Sequence, residues 1–224
     1  MKVLICDSGI LINLSLNGLL DILEKLKKDW NGKILITEQV KYETIDRPLN
    51  ILRFKLGALR IESLLTKKII ELPSSLNISN EEIKIKTKEL LEIANHSYKA
   101  KEGWVNIVSE GEVSCIAIGS ILKEKGHEVI IATDERTIRL LFEDPKTLEK
   151  IMSKHLHQQV QFVSSYTDYS QKFNFIRTSE IVYVAYKKGL LGIENKQALD
   201  AALYATKFKG AAITFEEIEA LKKI

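Results

Sequence analysis

The chain has few of the residues that mark disordered, secreted or membrane-spanning proteins. Its 224 residues include only 11 glycines, 3 prolines and 2 cysteines, which excludes a collagen-like chain and a disulfide scaffold. No apolar run reaches the roughly 18–20 residues of a membrane-spanning helix. The opening MKVLICDSGILINL has an acid inside its apolar stretch and no small-residue cleavage site, unlike a signal peptide. With 45% hydrophobic residues to form a core, we expect a soluble, cytoplasmic, globular protein without a membrane partner.

The cysteines and the net charge further limit the class of protein to which the chain can belong. Cys6 and Cys115 lie among aliphatic residues without CxxC spacing, which predicts buried thiols in a reducing compartment. A net charge of +3 is too small to indicate a general nucleic-acid binder. Residues 150–224 nevertheless hold 11 Lys and Arg against 7 Asp and Glu, while the preceding residues hold 22 against 23. A weakly acidic body with a basic tail suits an anionic substrate, although a solvated lysine-rich surface explains the same numbers.

Short apolar runs alternate with amphipathic helices along most of the chain. This alternation predicts an α/β fold, a parallel-sheet α/β/α sandwich with helices on both faces. The predicted strands are 2–6, 33–37, 68–72, 128–133 and 160–164. The predicted helices are 17–28, 38–46, 50–66, 79–98, 110–125, 135–142, 179–188, 195–207 and 215–223.

This pattern predicts that the chain has two parts. Residues 1–164 are predicted to form the α/β domain, and residues 165–224 a helical C-terminal extension packed on it. The stretch 74–108 separates the third predicted strand from the next motif and is predicted to be an insertion of variable role.

Acids stand where a parallel sheet would place a functional site. Asp7 and Ser8 follow the first strand, and Thr133, Asp134 and Glu135 end the strand at 128–133. Ligands of open parallel sheets bind outside the carboxyl ends of the strands. If these two strands are neighbours, the carboxylates converge there.

Two glutamates on predicted helices could join them. Glu43 follows Val40 by three residues, and Glu112 shares a helical face with Cys115. Acids turned towards a core face are costly unless they are paired or bind a metal. Clustered carboxylates favour an oxygen-ligated Mg²⁺ or Mn²⁺, which can activate water and clamp a phosphodiester.

Each acid also has a purely structural interpretation. Asp7 and Asp134 are well placed to cap the helices that follow them, Ser109 with Glu112 has capping-box spacing, and Glu43 could be solvated. The joint arrangement at one sheet edge favours a shared acidic site, but the residues alone leave both interpretations open.

In the order in which they occur, four segments resemble PIN-domain ribonucleases. They are DSGILINL at 7–14, YE at 42–43, SEGEVSCIAIG at 109–119 and ATDERTIRLL at 132–141. Within that family the chain most resembles the VapC-like toxins and related prokaryotic PIN proteins, and the tail segments AYKKGLLG and GAAIT are similar to theirs. Val113 and Cys115 depart from the alanines usual in the family, and the insertion before Glu112 prevents transfer of substrate preference.

The resemblance implies an endoribonuclease that cleaves RNA with Mg²⁺ or Mn²⁺. The family's acids correspond to Asp7, Glu43, Glu112 and Asp134, with Glu135 as the alternative fourth acid. Asp7, Glu112 and Asp134 would bind the metal, with Glu135 as a further ligand, and Glu43 would be a ligand or would orient water. In toxin members an antitoxin protein restrains the activity, and a homodimer is a further expectation.

Substrate contacts are predicted at three positions close to the acids. Ser8 and Thr133 carry hydroxyls beside the carboxylates, and Arg139 lies one turn beyond them, where it could contact the phosphate or simply face solvent. The aromatics of 162–175 near Lys172 and Arg177 could stack single-stranded bases, or pack in the core or against a partner.

Two other functional classes remain as alternatives. A non-catalytic PIN-like module would bind RNA or a protein without cleaving it. A phosphatase or phosphotransfer protein would use Asp7 as its nucleophile, but the aspartate-phosphatase pattern needs a second Asp two residues on, where this chain has Gly9.

Overall fold

The structure is a computed structural model that describes residues 1–163 and 173–224. The strands of the described residues are β1 (Lys2–Cys6), β2 (Gly32–Leu35), β3 (Tyr98–Ala100), β4 (Gly103–Trp104), β5 (Glu128–Ala132), β6 (Val160–Phe162) and β7 (Asn174–Ile176). Four of them form a central parallel sheet with the order β2-β1-β5-β7. The three others form a separate antiparallel sheet with the order β4-β3-β6.

Helices surround the parallel sheet. Those of the described residues are α1 (Ser8–Leu16), α2 (Asp21–Asp29), α3 (Glu38–Lys41), α4 (Lys55–Thr66), α5 (Asn80–Asn95), α6 (Glu110–Glu124), α7 (Arg136–Glu143), α8 (Pro145–His155), α9 (Thr178–Lys187), α10 (Ala198–Phe208) and α11 (Phe215–Leu221). A π-helical turn, Tyr42–Asp46, continues α3, and short 3₁₀ turns lie at Pro48–Asn50 and Pro73–Leu76.

The two faces of the sheet carry different helices, as the predicted α/β class requires. Ile5 and Ile131 point towards α6, where Gly119 lets the helix approach closely, since a β-carbon at Gly119 would lie 3.2 Å from Ile131. Leu4 and Ile130, one residue earlier in each strand, face α2 and α9. This alternation follows from the two-residue period of a strand.

Several predicted elements are corrected by the structure. Helix α1 was not predicted, because ILINLSL is apolar on nearly all sides and lacks the one-sided pattern of a surface helix; the helix predicted at 17–28 begins at Asp21. Residues 68–72 form only an isolated bridge between Leu35 and Glu71. The chain turns there out of α4, with Lys68 at a positive φ of 56°.

The predicted C-terminal extension is not purely helical. Its segment Asn174–Ile176 pairs with β5 and completes the parallel sheet, whereas β6 joins the small antiparallel sheet. The boundary predicted at 164/165 lies outside the described residues. In the described parts of the chain, no helix has both the length and the apolar character needed to cross a membrane.

The predicted insertion packs on the rest of the molecule. Ser79 accepts a hydrogen bond from the Glu82 amide at 3.1 Å, which confirms the predicted start of α5, and α5 packs against α6. The Tyr98 hydroxyl of β3 donates to the Pro145 carbonyl at 2.9 Å. The segment 74–108 therefore supports α6, the helix that carries Glu112.

Candidate functional site

Strands β1 and β5 are parallel neighbours, as the convergence of their acids requires. Cys6 pairs with Ala132 in register, and the Asp7 amide donates to the Ala132 carbonyl at 2.9 Å. The chain places β2 on one side of β1 and β5 on the other. Asp7 and Asp134 thus lie at the point where the strand order reverses, which is where open parallel sheets bind ligands.

A cleft of about 230 Å³ opens at this edge. Five carboxylates line it, and no cationic side chain does so among the residues that the structure describes. Its acidic lining consists of Asp7, Glu43, Glu112, Asp134 and Glu135. The structure therefore brings together every acid that was singled out from the sequence, together with Ser8.

Asp7 is held within the cleft by hydroxyl and backbone donors. Thr133 donates to its Oδ2 at 3.0 Å, and the Ser8 amide donates to its Oδ1 at 2.7 Å. Burial raises the pKa of Asp7, the hydrogen bonds from Thr133 and Ser8 oppose that rise, and the nearby Glu43 carboxylate adds to it. The ionised form is thus disfavoured in the absence of a cation.

Glu43 reaches the cleft from the π-helical turn. Its Oε1 accepts a hydrogen bond from Gln39 at 2.9 Å. A β-carbon at Gly111 would lie 2.9 Å from the same oxygen, so the glycine allows the carboxylate to rest against the first turn of α6. π-Helical turns are frequent at functional sites.

Glu112 combines a structural contact with a place in the cleft. Its Oε2 accepts the Ser109 amide at 2.8 Å, so the predicted capping box is confirmed. Burial raises the pKa of Glu112, the Ser109 hydrogen bond opposes this, and the carboxylates of Glu135 and Asp7 raise it further. Glu112 therefore both caps the start of α6 and lines the acidic cleft.

Asp134 has a structural role different from the predicted one. It does not cap α7, because the Glu135 carboxylate accepts the Thr137 amide at 3.1 Å and fills that position. Asp134 instead accepts the Thr178 amide at 2.9 Å and the Thr178 hydroxyl at 2.6 Å, at the start of α9. Asn13 adds a third hydrogen bond at 3.3 Å. Burial raises the pKa of Asp134, and these hydrogen bonds oppose the rise.

The other predicted contact residues are placed differently. Ser8 lines the cleft, whereas Thr133 lies behind it and positions Asp7 and the Glu135 amide. Arg139 is half-buried outside the cleft lining, and its pKa is lowered by burial and by the neighbouring Arg177. Its Nε is buried without a hydrogen-bond partner among the described residues, so the structure does not show the predicted phosphate contact.

The C-terminal residues contribute to the site, which sequence reasoning missed. Gly210, at a φ of +110°, lines the cleft. Thr178 holds Asp134, and the Thr206 carbonyl accepts a hydrogen bond from Asn13 at 2.9 Å. No local signal marks these contacts, since each joins segments far apart in the chain.

Two aromatics of the segment 162–175 pack in the core, which is one of the alternatives that the sequence leaves open. Phe173 and Phe175 contact Phe142 with ring centroids 5.4 and 5.8 Å apart. Tyr166, Tyr169 and Lys172 of the same predicted set lie outside the described residues.

The acids share a cleft without forming a closed ligand cage. Within residues 1–163 and 173–224, no group of three or more His, Cys, Asp or Glu is arranged to hold a metal ion. Three of the carboxylates accept hydrogen bonds from neutral partners, namely Gln39, Ser109 and Thr178.

Comparison with known proteins found no relative. No protein-family model matches the chain, and neither the curated proteins nor the solved structures contain a match.

Proposed function

We propose that the protein is a PIN-type endoribonuclease that uses Mg²⁺ or Mn²⁺. The observation that carries the proposal is the cleft itself: five carboxylates at the switch point of a parallel sheet, with no cationic side chain among the described residues that line it. Buried acids without a cationic partner are costly. An ion bound by oxygen ligands relieves that cost, so the donor set fits Mg²⁺ or Mn²⁺.

Each acid has a place in this proposal. Asp7, Glu112 and Asp134 hold the ion, with Glu135 as a further or alternative ligand. A bound Mg²⁺ or Mn²⁺ would supply a water of lowered pKa and neutralise charge on the phosphodiester. Glu43 orients the attacking water or accepts its proton.

Neighbouring groups prepare the acids for this role. Thr133 fixes the Asp7 carboxylate through its hydroxyl, and Gly111 leaves room for Glu43. Ser8 stands at the start of α1, where the positive end of the helix dipole favours the approach of a phosphate. The toxin assignment, an antitoxin partner and a homodimer stay predictions from the resemblance.

The alternative is a PIN-like module that binds RNA or a protein without cleaving it. One observation favours it: Asp134 has both oxygens engaged by neutral donors. A carboxylate with these hydrogen bonds is stable without a metal, so fewer acids of the cleft need a cation.

A matched pair of variants in α6 tests the proposal. We expect Glu112→Gln to abolish most Mn²⁺-dependent cleavage of a labelled single-stranded RNA, while glutamine keeps the capping box and the fold. Glu110→Gln, two residues away and outside the cleft lining, should cleave like the wild type. Equal activity of Glu112→Gln and wild type, or cleavage unaffected by EDTA, would rule out the metal-dependent nuclease. RNA binding without any cleavage would select the alternative.

A further inference from the structure

A second, larger groove adjoins the acidic cleft. It has a volume of about 370 Å³ and lies between α1, the π-helical turn and α4. Its walls are mainly apolar, with Ile12 and Leu16 on one side and Phe54 on the other. These three side chains are substantially exposed, Phe54 at 43%.

The groove and the cleft are continuous. Glu43 lines both of them. Helix α1 begins at the cleft with Ser8, and its next turn presents Ile12 to the groove. A chain that passes through the cleft therefore meets the groove directly.

Apart from Glu43, the charged residues of the groove are cationic, opposite to those of the cleft. Residues 47–61 contain four cations, Arg47, Arg53, Lys55 and Arg60, and no acid. Arg47 and Arg53 line the groove, and neither has a carboxylate within ion-pair distance in the described parts of the chain. The Arg53 guanidinium lies over the Phe54 ring, 4.4 Å from its centroid.

We propose that this groove binds one unpaired nucleotide of the RNA, next to the phosphate that is cleaved. The base packs against Phe54, Ile12 and Leu16, and Arg47 and Arg53 meet the flanking phosphates. The inference rests on the proposed nuclease function and deepens it, because it assigns the substrate as RNA that is single-stranded beside the cleavage site.

Size and chemistry both favour this occupant. A volume of 370 Å³ lies at the lower end of the range for small-ligand pockets, about 300–1,000 Å³. A base in a duplex keeps its faces stacked and cannot enter. Aromatic faces beside unpaired arginines are the elements with which proteins hold single strands, and a purely apolar helix of a protein partner would leave these guanidinium groups without an anion.

The first measurement is RNA binding without metal. A fluorescent, unstructured RNA of about 12 nucleotides, within the size range of single-strand sites, is titrated with the full-length protein in EDTA. We expect Phe54→Ala to weaken binding about 5- to 150-fold, the range for loss of one base–aromatic stack. Arg53→Ala should weaken binding and lower the salt slope by about 0.7, the value for one phosphate contact of a single strand.

Arg60→Ala is the matched control, because it removes the same charge from α4 but does not line the groove. Its salt slope should equal that of the wild type. A fully paired RNA should be bound equally by the wild type and Phe54→Ala, since its bases are not available.

An abasic scan separates direct contact from indirect damage. One abasic position in the RNA should weaken binding to the wild type and have no effect on Phe54→Ala, because the base and its stacking partner are then already missing. The inference would be overturned if every abasic position weakened the binding of Phe54→Ala as much as that of the wild type. It would also be overturned if Phe54→Ala and Arg53→Ala bound RNA like Arg60→Ala. Either result would leave a protein partner as the occupant of the groove.

The same variants keep this inference separate from the proposed function. Cleavage by wild type in Mn²⁺, with no effect of the groove variants on binding or cleavage, rejects the groove and retains the nuclease. Binding that depends on Phe54 and Arg53, with no cleavage by wild type, retains the groove and rejects the nuclease. A wild type that neither binds nor cleaves RNA rejects both.

Discussion

The ends of β1 and β5 carry aspartates that are alike in sequence and burial but differ in their partners. Asp7 and Asp134 each expose 7% of their surface, and burial raises the pKa of both. Asp134 receives three hydrogen bonds from Asn13 and Thr178, and these tie β5 to α1 and α9. Asp7 is held by the Ser8 amide and by Thr133 at the end of the neighbouring β5, and the nearby Glu43 carboxylate adds to the rise of its pKa.

Two equally buried aspartates thus differ in whether their neighbours satisfy the charge. The Asp134 carboxylate is satisfied by neutral donors from two segments, whereas the Asp7 carboxylate has a second negative charge, that of Glu43, nearby. Four measurements test this difference between the two sites.

The largest expected effect is on the metal response of Asp7→Asn. In the wild type, an ion at a hundredfold excess over Kd should stabilise the fold by about 2.7 kcal/mol. Asp7→Asn should lose most of this increment and reduce cleavage about 100-fold or more, because a charged ligand is missing. Thermal melts with and without Mn²⁺, run beside a cleavage assay, measure both effects. Asp29→Asn, an exposed aspartate of α2, is the control; an undiminished metal shift in Asp7→Asn would remove Asp7 from the site.

Asp134→Asn should instead lower the stability of the metal-free protein. The sequence alone predicts unchanged or higher stability from relief of repulsion, but the structure reverses this expectation. The asparagine amide must face the donors of Asn13 and Thr178, which costs about 1–3 kcal/mol in the free energy of unfolding. Urea denaturation in EDTA measures the loss. The loss of stability in Thr178→Val should be non-additive with the loss in Asp134→Asn. If Asp134→Asn were as stable as the wild type, the hydrogen bonds to Asp134 would not stabilise the fold.

Gly111→Ala tests Glu43 without replacing a carboxylate. The new methyl group would displace the flexible Glu43 side chain, so cleavage should fall about tenfold, corresponding to roughly 1.4 kcal/mol. Stability should stay equal or rise by up to about 1 kcal/mol, because alanine is the better helix former.

Gly119→Ala in the same helix is the matched control. Its methyl group meets Phe173 and Ile131 in the core, so it should lose stability through overpacking while leaving the cleft intact. Full cleavage by Gly111→Ala would exclude Glu43 from the reaction.

The smallest expected effect is a pH trend. A carboxyl whose pKa is raised in the folded state binds its proton more tightly there than in the unfolded chain, so its contribution to stability falls as pH rises from about 4. In EDTA, Asp7→Asn cannot ionise and should gain on the wild type by about 0.5–2 kcal/mol between pH 4 and pH 7. Paired urea melts at several pH values measure the difference, and an advantage that shrinks with rising pH would contradict the raised pKa of Asp7.

Much of the site could be predicted because its members follow local patterns. Asp7, Glu112 and Asp134 stand directly at a strand end or helix start, and apolar runs locate those elements well. The role of Asp134 could not be predicted, since its partner Thr178 is 44 residues away. Neither could β7, because three residues are too few for a periodic signal.

The groove was missed for a related reason. Its arginines lie in 47–60, a region whose charge run is visible in the sequence, but only packing reveals that α1 and α4 leave a space there. A local excess of cations with no acid, just after a candidate acid such as Glu43, was the available signal.

The hydrogen bonds from Thr178 to Asp134 also bear on when the cleft is completed during synthesis. All five acids of the cleft are translated before Thr178 and Gly210, which finish its structure. At about 5–20 residues per second, the 44 residues between Asp134 and Thr178 take about 2–9 seconds. During that interval Asp134, at the end of β5, lacks its partner Thr178, and the parallel sheet lacks β7. A nascent chain would therefore emerge from the ribosome with its acidic edge still unassembled, so the order of translation itself delays completion of the cleft.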